Sequence, residues 1–224
     1  MKRKSAAATG TEARKGEPYG ALFGNPYLRN AAGQLILDEG LPQADPQKRV
    51  LGHYTPDWTA GLTNVFRFGN ADFSFMFDMK QGGELFSVTH MFGRYAGVLE
   101  ETLAGREDGL LIEGVNADGT PNTTVVSAQD YNHAFYGIHE ANIFDASYVK
   151  LREVKLGYSL SPSLAARLGA QDAYISLVGR NLWLSTDVPH IDPETAFTAG
   201  NAQGLEFGQF PSVRSFGFNI TVTP

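Results

Sequence analysis

Residues 142–160 read NIFDASYVKLREVKLGYSL, and the second half of that stretch alternates cleanly. Val154, Leu156, Tyr158 and Leu160 fall on one side, with Glu153, Lys155, Gly157 and Ser159 on the other. Side chains on a strand change face at every residue, so this pattern predicts a strand with one apolar and one polar face. At about 3.3 Å per residue, the run 147–160 reaches roughly 45 Å, long for a strand in a soluble domain. A tilted strand that crosses an outer membrane holds about 9–11 residues in the hydrocarbon, and a strand of this length suits that setting.

Working outward, similar strands recur. Residues 58–68 place Trp58, Ala60, Leu62, Phe66 and Phe68 on one face, interrupted by Asn64. Gly69-Asn70 then supplies a hairpin turn. Residues 71–80 return, with Phe73, Phe75, Phe77 and Met79 aligned opposite Ser74, Met76, Asp78 and Lys80. Residues 172–184 alternate less regularly, with Ile175, Leu177 and Trp183 set against Ser176 and Arg180. Residues 212–223 close the series, with Phe216, Phe218, Ile220 and Val222 on one face. The connections run short (69–70), long (81–143), short (161–170) and long (185–211). This rhythm predicts an all-β antiparallel up-and-down meander, a C-terminal segment of a large transmembrane β-barrel whose short turns face the periplasm.

The remaining stretches are less regular. Residues 1–17 are small, polar and charged, and read as disordered or as a truncated leader. Residues 18–24 are a short extended piece, and the turn at 29–33 leads into 34–37 as a small hairpin. Residues 38–57 hold three prolines and read as loop. Within the long insert, 84–103 has helical character despite Gly93 and Gly97, and 161–170 allows one helical turn.

Composition narrows the chemistry. The 224 residues carry a formal charge of −6, and no run approaches the ~18 apolar residues of a transmembrane helix. Barrel strands escape that criterion because their apolar residues sit at alternate positions. With no cysteine, the chain has no disulfide, thiolate metal site or cysteine nucleophile. The basic start, MKRK, is not followed by an apolar core, so 1–18 is not a secretory signal peptide. No GxSxG elbow or phosphate loop is present, and no carboxylate pair points to a glycosidase; no catalytic residue is nominated. An acidic chain with only a short basic start does not predict a nucleic-acid partner.

The candidate functional residues are therefore those of the two strand faces. Phe73, Phe75, Phe77, Val154, Leu156, Tyr158, Phe216, Phe218, Ile220 and Val222 are expected to face lipid; the same period would also serve the core of a soluble β-sandwich binding module. Trp58, Tyr148, Tyr158 and Trp183 lie near strand ends, where aromatic girdles form. Glu153, Lys155 and Arg180 fall on the polar, lumen-side face, as wall ion pairs or as contacts to a plug or substrate. The histidines at 53, 90, 133, 139 and 190 lack metal-ligand spacing, and Asp108, Asn116 and Asp118 read as turn residues rather than calcium ligands. No metal or cofactor is predicted.

The run FDASYVKLREVKLGYSL (144–160), with SLVGRNLWLSTDVPHIDPE (176–194) and RSFGFNITVT (214–223), resembles the C-terminal region of SusC/RagA-type TonB-linked outer-membrane proteins. Upstream, GEPYGALFG (16–24), VLGHYTPDWTAGLTN (50–64), FMFDMKQGGELFS (75–87) and ETLAGRE (101–107) are similar to the same family, in the same order. The resemblance implies a TonB-dependent importer: a 22-stranded barrel with a plugged lumen, paired with a SusD-like surface lipoprotein and driven by the TonB system. Its implied cargo is an oligosaccharide or a peptide, and its implied location the outer membrane. The family's plug domain is absent from the sequence, and about five strands cannot close such a barrel, so the reading is of a fragment. The family usually ends in an aromatic residue that the assembly machinery reads, whereas this chain ends in Val222-Thr223-Pro224.

Overall fold

The long strands form one antiparallel sheet. In the computed structural model, which describes residues 10–13, 15–200 and 202–224, they are β1 (Trp58–Phe68), β2 (Ala71–Gln81), β3 (Tyr148–Ser159), β4 (Asp172–Thr186) and β5 (Ser215–Thr223). Their spatial order is β5-β4-β3-β2-β1, each strand beside its sequence neighbour. This is the meander that the alternation predicts, because the turns at one end are short. Gly69, at φ 60°, and Asn70 join β1 to β2. A single helix, α3 (Pro162–Arg167), follows β3 with Ser161 as its N-cap and a proline in its first turn. At the other end of the sheet the chain leaves after Gln81 and Thr186 and returns at Trp58, Tyr148 and Ser215.

The regular two-residue period breaks once in β3. Leu151 pairs with Phe77 and Glu153 with Met76, so Arg152 is an extra residue bulged out of register. A bulge changes which face the residues before it occupy. Tyr148 and Lys150 consequently lie opposite Lys80 and Asp78 on the polar face, although simple alternation from Val154 would place them with the apolar set. On β4 the matching irregularity falls at Asn181, which adopts φ 51°.

The second compact unit gathers the described residues of segments 10–56, 82–146 and 188–210. Here the structure differs from the loop-rich expectation. Gly10–Glu12 is a strand paired with Ala21–Gly24, within the stretch read as disordered; residues 1–9 lie outside the described residues. The 38–57 region, read as loop, contains strands Leu41–Pro42 and Arg49–His53. Glu84–Ser87 pairs with both Ile143–Asp145 and Leu205–Glu206. These strands are two to five residues long, and Glu84–Ser87 has partners distant in sequence, so local periodicity carries little signal for them. The long insert also holds α1 (Val88–Ala96) and α2 (Ala128–Ala134). Ser87 caps α1 by accepting from the His90 N–H, and Gly97 ends it at φ 68°, a conformation that glycine adopts without a Cβ penalty. Leu85, Ala146 and Val188 form a buried cluster flanked by Phe144 and Ile191.

Candidate functional site

Residues directly opposite each other in a ladder share a face, so the registers assign the sheet's two surfaces. One row runs Phe66, Phe73, Leu156, Leu177, Phe218 across all five strands. The next rows are Phe68, Ala71, Tyr158, Ile175, Ile220 and Asn64, Phe75, Val154, Gly179, Phe216. Leu62, Phe77, Leu151 and Trp183 extend the same face beyond the bulge, and Val222 joins it opposite Ala173. All the residues expected to face lipid thus lie together on one surface. Its phenylalanines touch in sequence, with ring centroids 6.3 Å apart for Phe66 and Phe73, 6.0 Å for Phe73 and Phe75, and 5.7 Å for Phe75 and Phe77. The surface is not covered: Leu177, Phe218 and Phe216 are 60, 73 and 80% exposed.

The opposite surface is polar. Its rows include Arg67, Asp72, Gly157, Ser176, Asn219 and Val65, Ser74, Lys155, Val178, Gly217. Arg180 Nε donates to Glu153 Oε2 at 2.8 Å. The Lys155 ammonium lies 4.9 Å above the Tyr174 ring, whose hydroxyl donates to Asp72 at 3.0 Å. A Cβ on Gly157 would collide with that hydroxyl, so the glycine is what lets Tyr174 lie across the strand. Arg152 and the Tyr148 hydroxyl both reach Asp78, and Lys150 sits 5.0 Å above the Tyr148 ring. Tyr148 therefore belongs to the polar surface rather than to an aromatic girdle, a consequence of the bulge at Arg152. Trp58, Trp183 and Tyr158 remain on the apolar surface.

In the other unit the structure assembles polar groups that no spacing signalled. Glu101 lies between two imidazoles, 3.1 Å from His90 Nε2 and 3.1 Å from His190 Nε2. Burial holds the His90 imidazole below its ordinary range, despite the hydrogen bond to Asn142. Burial also pulls the Glu101 carboxyl upward, but its own backbone N–H and His190 outweigh this and leave it below the usual range. Glu206, wholly buried, accepts from Ser87 Oγ at 3.0 Å and from the Thr89 N–H at 3.1 Å, fastening its strand to the start of α1. His139 is pushed down to about 4 by burial, with the Lys48 charge adding to the effect; its Nδ1 accepts from the Asn25 N–H at 2.9 Å. Apart from His90 and Glu101, these pairings join residues separated by large stretches of chain. Asp118 accepts from the Thr120 N–H and hydroxyl, which is turn chemistry. Among the described residues, no three His, Asp or Glu side chains are grouped to hold a metal ion.

No family model matches the chain. Among curated proteins it is similar to TonB-dependent receptor P3 of Formosa agariphila, with 28% identity over 93% of this chain and 22% of that protein. TonB-dependent receptor P26 of the same organism is 29% identical over 78% of this chain and 18% of its own length. The chain therefore spans about a fifth of the length of the curated relatives it matches. Among solved structures it resembles the RagAB peptide importer in its open-open state, with a TM-score of 0.62 and 17% identity over 92% of this chain and 22% of that one. The closed-closed state gives a TM-score of 0.61 at 18% identity. The similarity to TonB-linked transporters read from the sequence is borne out, and the antiparallel β fold matches that of the RagAB chain.

Proposed function

On the strength of this likeness to TonB-dependent receptors, we propose that the chain forms part of the barrel wall of an outer-membrane nutrient importer. Its uncovered apolar surface would face lipid, and the polar surface would line the lumen. The importer would take up oligosaccharides or peptides with a SusD-like lipoprotein, drawing energy from the TonB system. Its work is transport, and no group on either surface is assigned a chemical step. The observation that carries the reading is the continuous apolar surface across five strands, backed by a polar one. Exposed aromatic rows of this extent are costly in water and favourable in hydrocarbon. A soluble sandwich would instead pack that surface under a second sheet.

Site-directed spin labels test this directly, because the chain has no native cysteine. In the full-length receptor, labels at Leu156 and Leu177 are expected to be relaxed by oxygen dissolved in the bilayer. Labels at Ser74 and Asn219 should respond to a water-soluble nickel chelate. Equal behaviour on both surfaces, or a folded monomer of this chain in detergent-free buffer, would overturn the proposal. Import is tested separately, by growth of a receptor-deleted strain on oligosaccharide or peptide as sole nutrient.

A further inference from the structure

Beside α1 and α2, within the helix-bearing unit, lies a cavity of about 460 Å³ whose lining includes two arginines and no carboxylate. Arg94 is half-buried and Arg106 is exposed at the rim. The Arg94 guanidinium lies flat on Phe135, 3.6 Å from the ring centroid, and its Nε donates to Asn132 Oδ1 at 3.0 Å. Stacking and that single bond fix the plane while leaving its amino groups available to a further acceptor. Arg106 is held by hydrogen bonds instead: its Nε donates to the Thr102 carbonyl at 2.9 Å, and one amino group donates to the Gly97 carbonyl at 2.6 Å and to the Thr102 hydroxyl at 2.9 Å. Among the described residues, neither arginine has an ion pair. Ser127, Gln129 and His133 add further polar groups to the lining. In a chain of net charge −6, this lining holds two guanidiniums and no carboxylate, the neighbouring Asp130 being bonded to Ser127.

We infer that this cavity binds the oxyanion of a small ligand, a carboxylate or a sulfate. A planar guanidinium matches such a group in a fork-to-fork arrangement, which the two amino groups of Arg94 can supply while Arg106 adds its remaining amino group; both are already held by hydrogen bonds, so little side-chain entropy is lost on binding. The volume admits one sugar ring or one amino-acid unit beside the charged group. The inference deepens the importer reading, on which it rests, by assigning acidic cargo to that importer.

Calorimetric titration of the full-length receptor in detergent micelles tests it. The probes are D-galacturonate and N-acetylglutamate α-amide, each against its neutral counterpart, galactose and N-acetylglutamine α-amide. Each acidic probe is expected to bind about tenfold more tightly than its neutral partner, in competition with inorganic sulfate. Whichever acidic probe binds better assigns the site to acidic sugars or to acidic peptides. R106Q should weaken both. Because Arg106 also braces the end of α1, Q129E provides a cleaner variant: Gln129 is exposed, and an acid in the first turn of a helix is well tolerated. That variant should lose the preference for acidic probes. Equal binding of acidic and neutral probes, no binding of any probe, or an unchanged preference in Q129E would overturn the inference. A preference for acidic probes alongside failed uptake by the full-length receptor would instead count against the importer reading alone.

Discussion

In the unit that carries α1 and α2, Leu22, Leu37 and Ile138 are 0, 2 and 1% exposed, whereas on the long-strand sheet Leu156, Tyr158 and Ile220 are 54, 50 and 56% exposed. Both regions are rich in apolar side chains, but the first gathers large ones into a buried interior, although it also exposes Val98 and Phe210. The first also buries polar groups, including Glu206, Asn142 and Asn132, and satisfies them with internal partners such as Ser87, Phe135 and Ala128. It is organised as a water-soluble domain is, with an apolar interior and paired polar groups. The sheet keeps its charges on one surface and its aromatics, uncovered, on the other. The contrast teaches that hydrophobic content alone does not say what solvent a region is built for; the arrangement of the content does.

If that contrast holds, apolar truncation and charge insertion should rank differently in the two regions. Leu22→Ala, deep in the helix-bearing unit, should cost about 2–5 kcal/mol, measured as a lowered denaturation midpoint of that unit. Leu156→Arg, on the sheet, should cost about 2–4 kcal/mol when the receptor unfolds from a bilayer, because it places a charge in hydrocarbon. The contrast breaks if Leu156→Arg is neutral in lipid. Gly157→Val sharpens it from the polar side, by driving a side chain into the Tyr174 hydroxyl. About 1–3 kcal/mol is expected there, with loss of the Tyr174 contact to Asp72 visible in the tyrosine spectrum.

A smaller effect separates the two regions by pH. The His139 imidazole, held down to about 4 from an ordinary 6.5, stays neutral in the folded unit while the unfolded chain takes up a proton. Its contribution is therefore complete above about pH 6.5 and is lost as pH falls towards 4. Acid titration followed by far-ultraviolet dichroism should show this loss, and His139→Gln should flatten it. The smallest effect is expected at the exposed Glu153–Arg180 pair: Arg180→Gln should change stability by under about 1 kcal/mol, less still at high salt.

Much of the sheet was legible in the sequence. All five strands fall where the alternation places them, and 58–68 matches at both ends, since a strand beside its sequence neighbour needs only a turn and a period of two. The apolar set from Phe73 to Val222 could be read on one surface for the same reason. The sequence also named Glu153, Lys155 and Arg180 as polar-surface residues, and the register agrees. Illegible were the short strands of the helix-bearing unit, such as Leu205–Glu206 against Glu84–Ser87, because a two-residue strand has no period and its partner lies more than a hundred residues away.

Alternation along the chain thus sets the strand identities, the meander and the two-faced sheet, all consequences of local backbone geometry. Placements that depend on distant partners come from the folded chain instead. The bulge at Arg152 turns Tyr148 and Lys150 to the polar surface, because register is set by the strands on either side and not by β3 alone. The approach of His190 to Glu101, and of Ser127, Asn132 and His133 to Arg94 and Arg106, arise where distant segments fold together. Their spacing along the chain carries no period, so only the folded contacts bring them together.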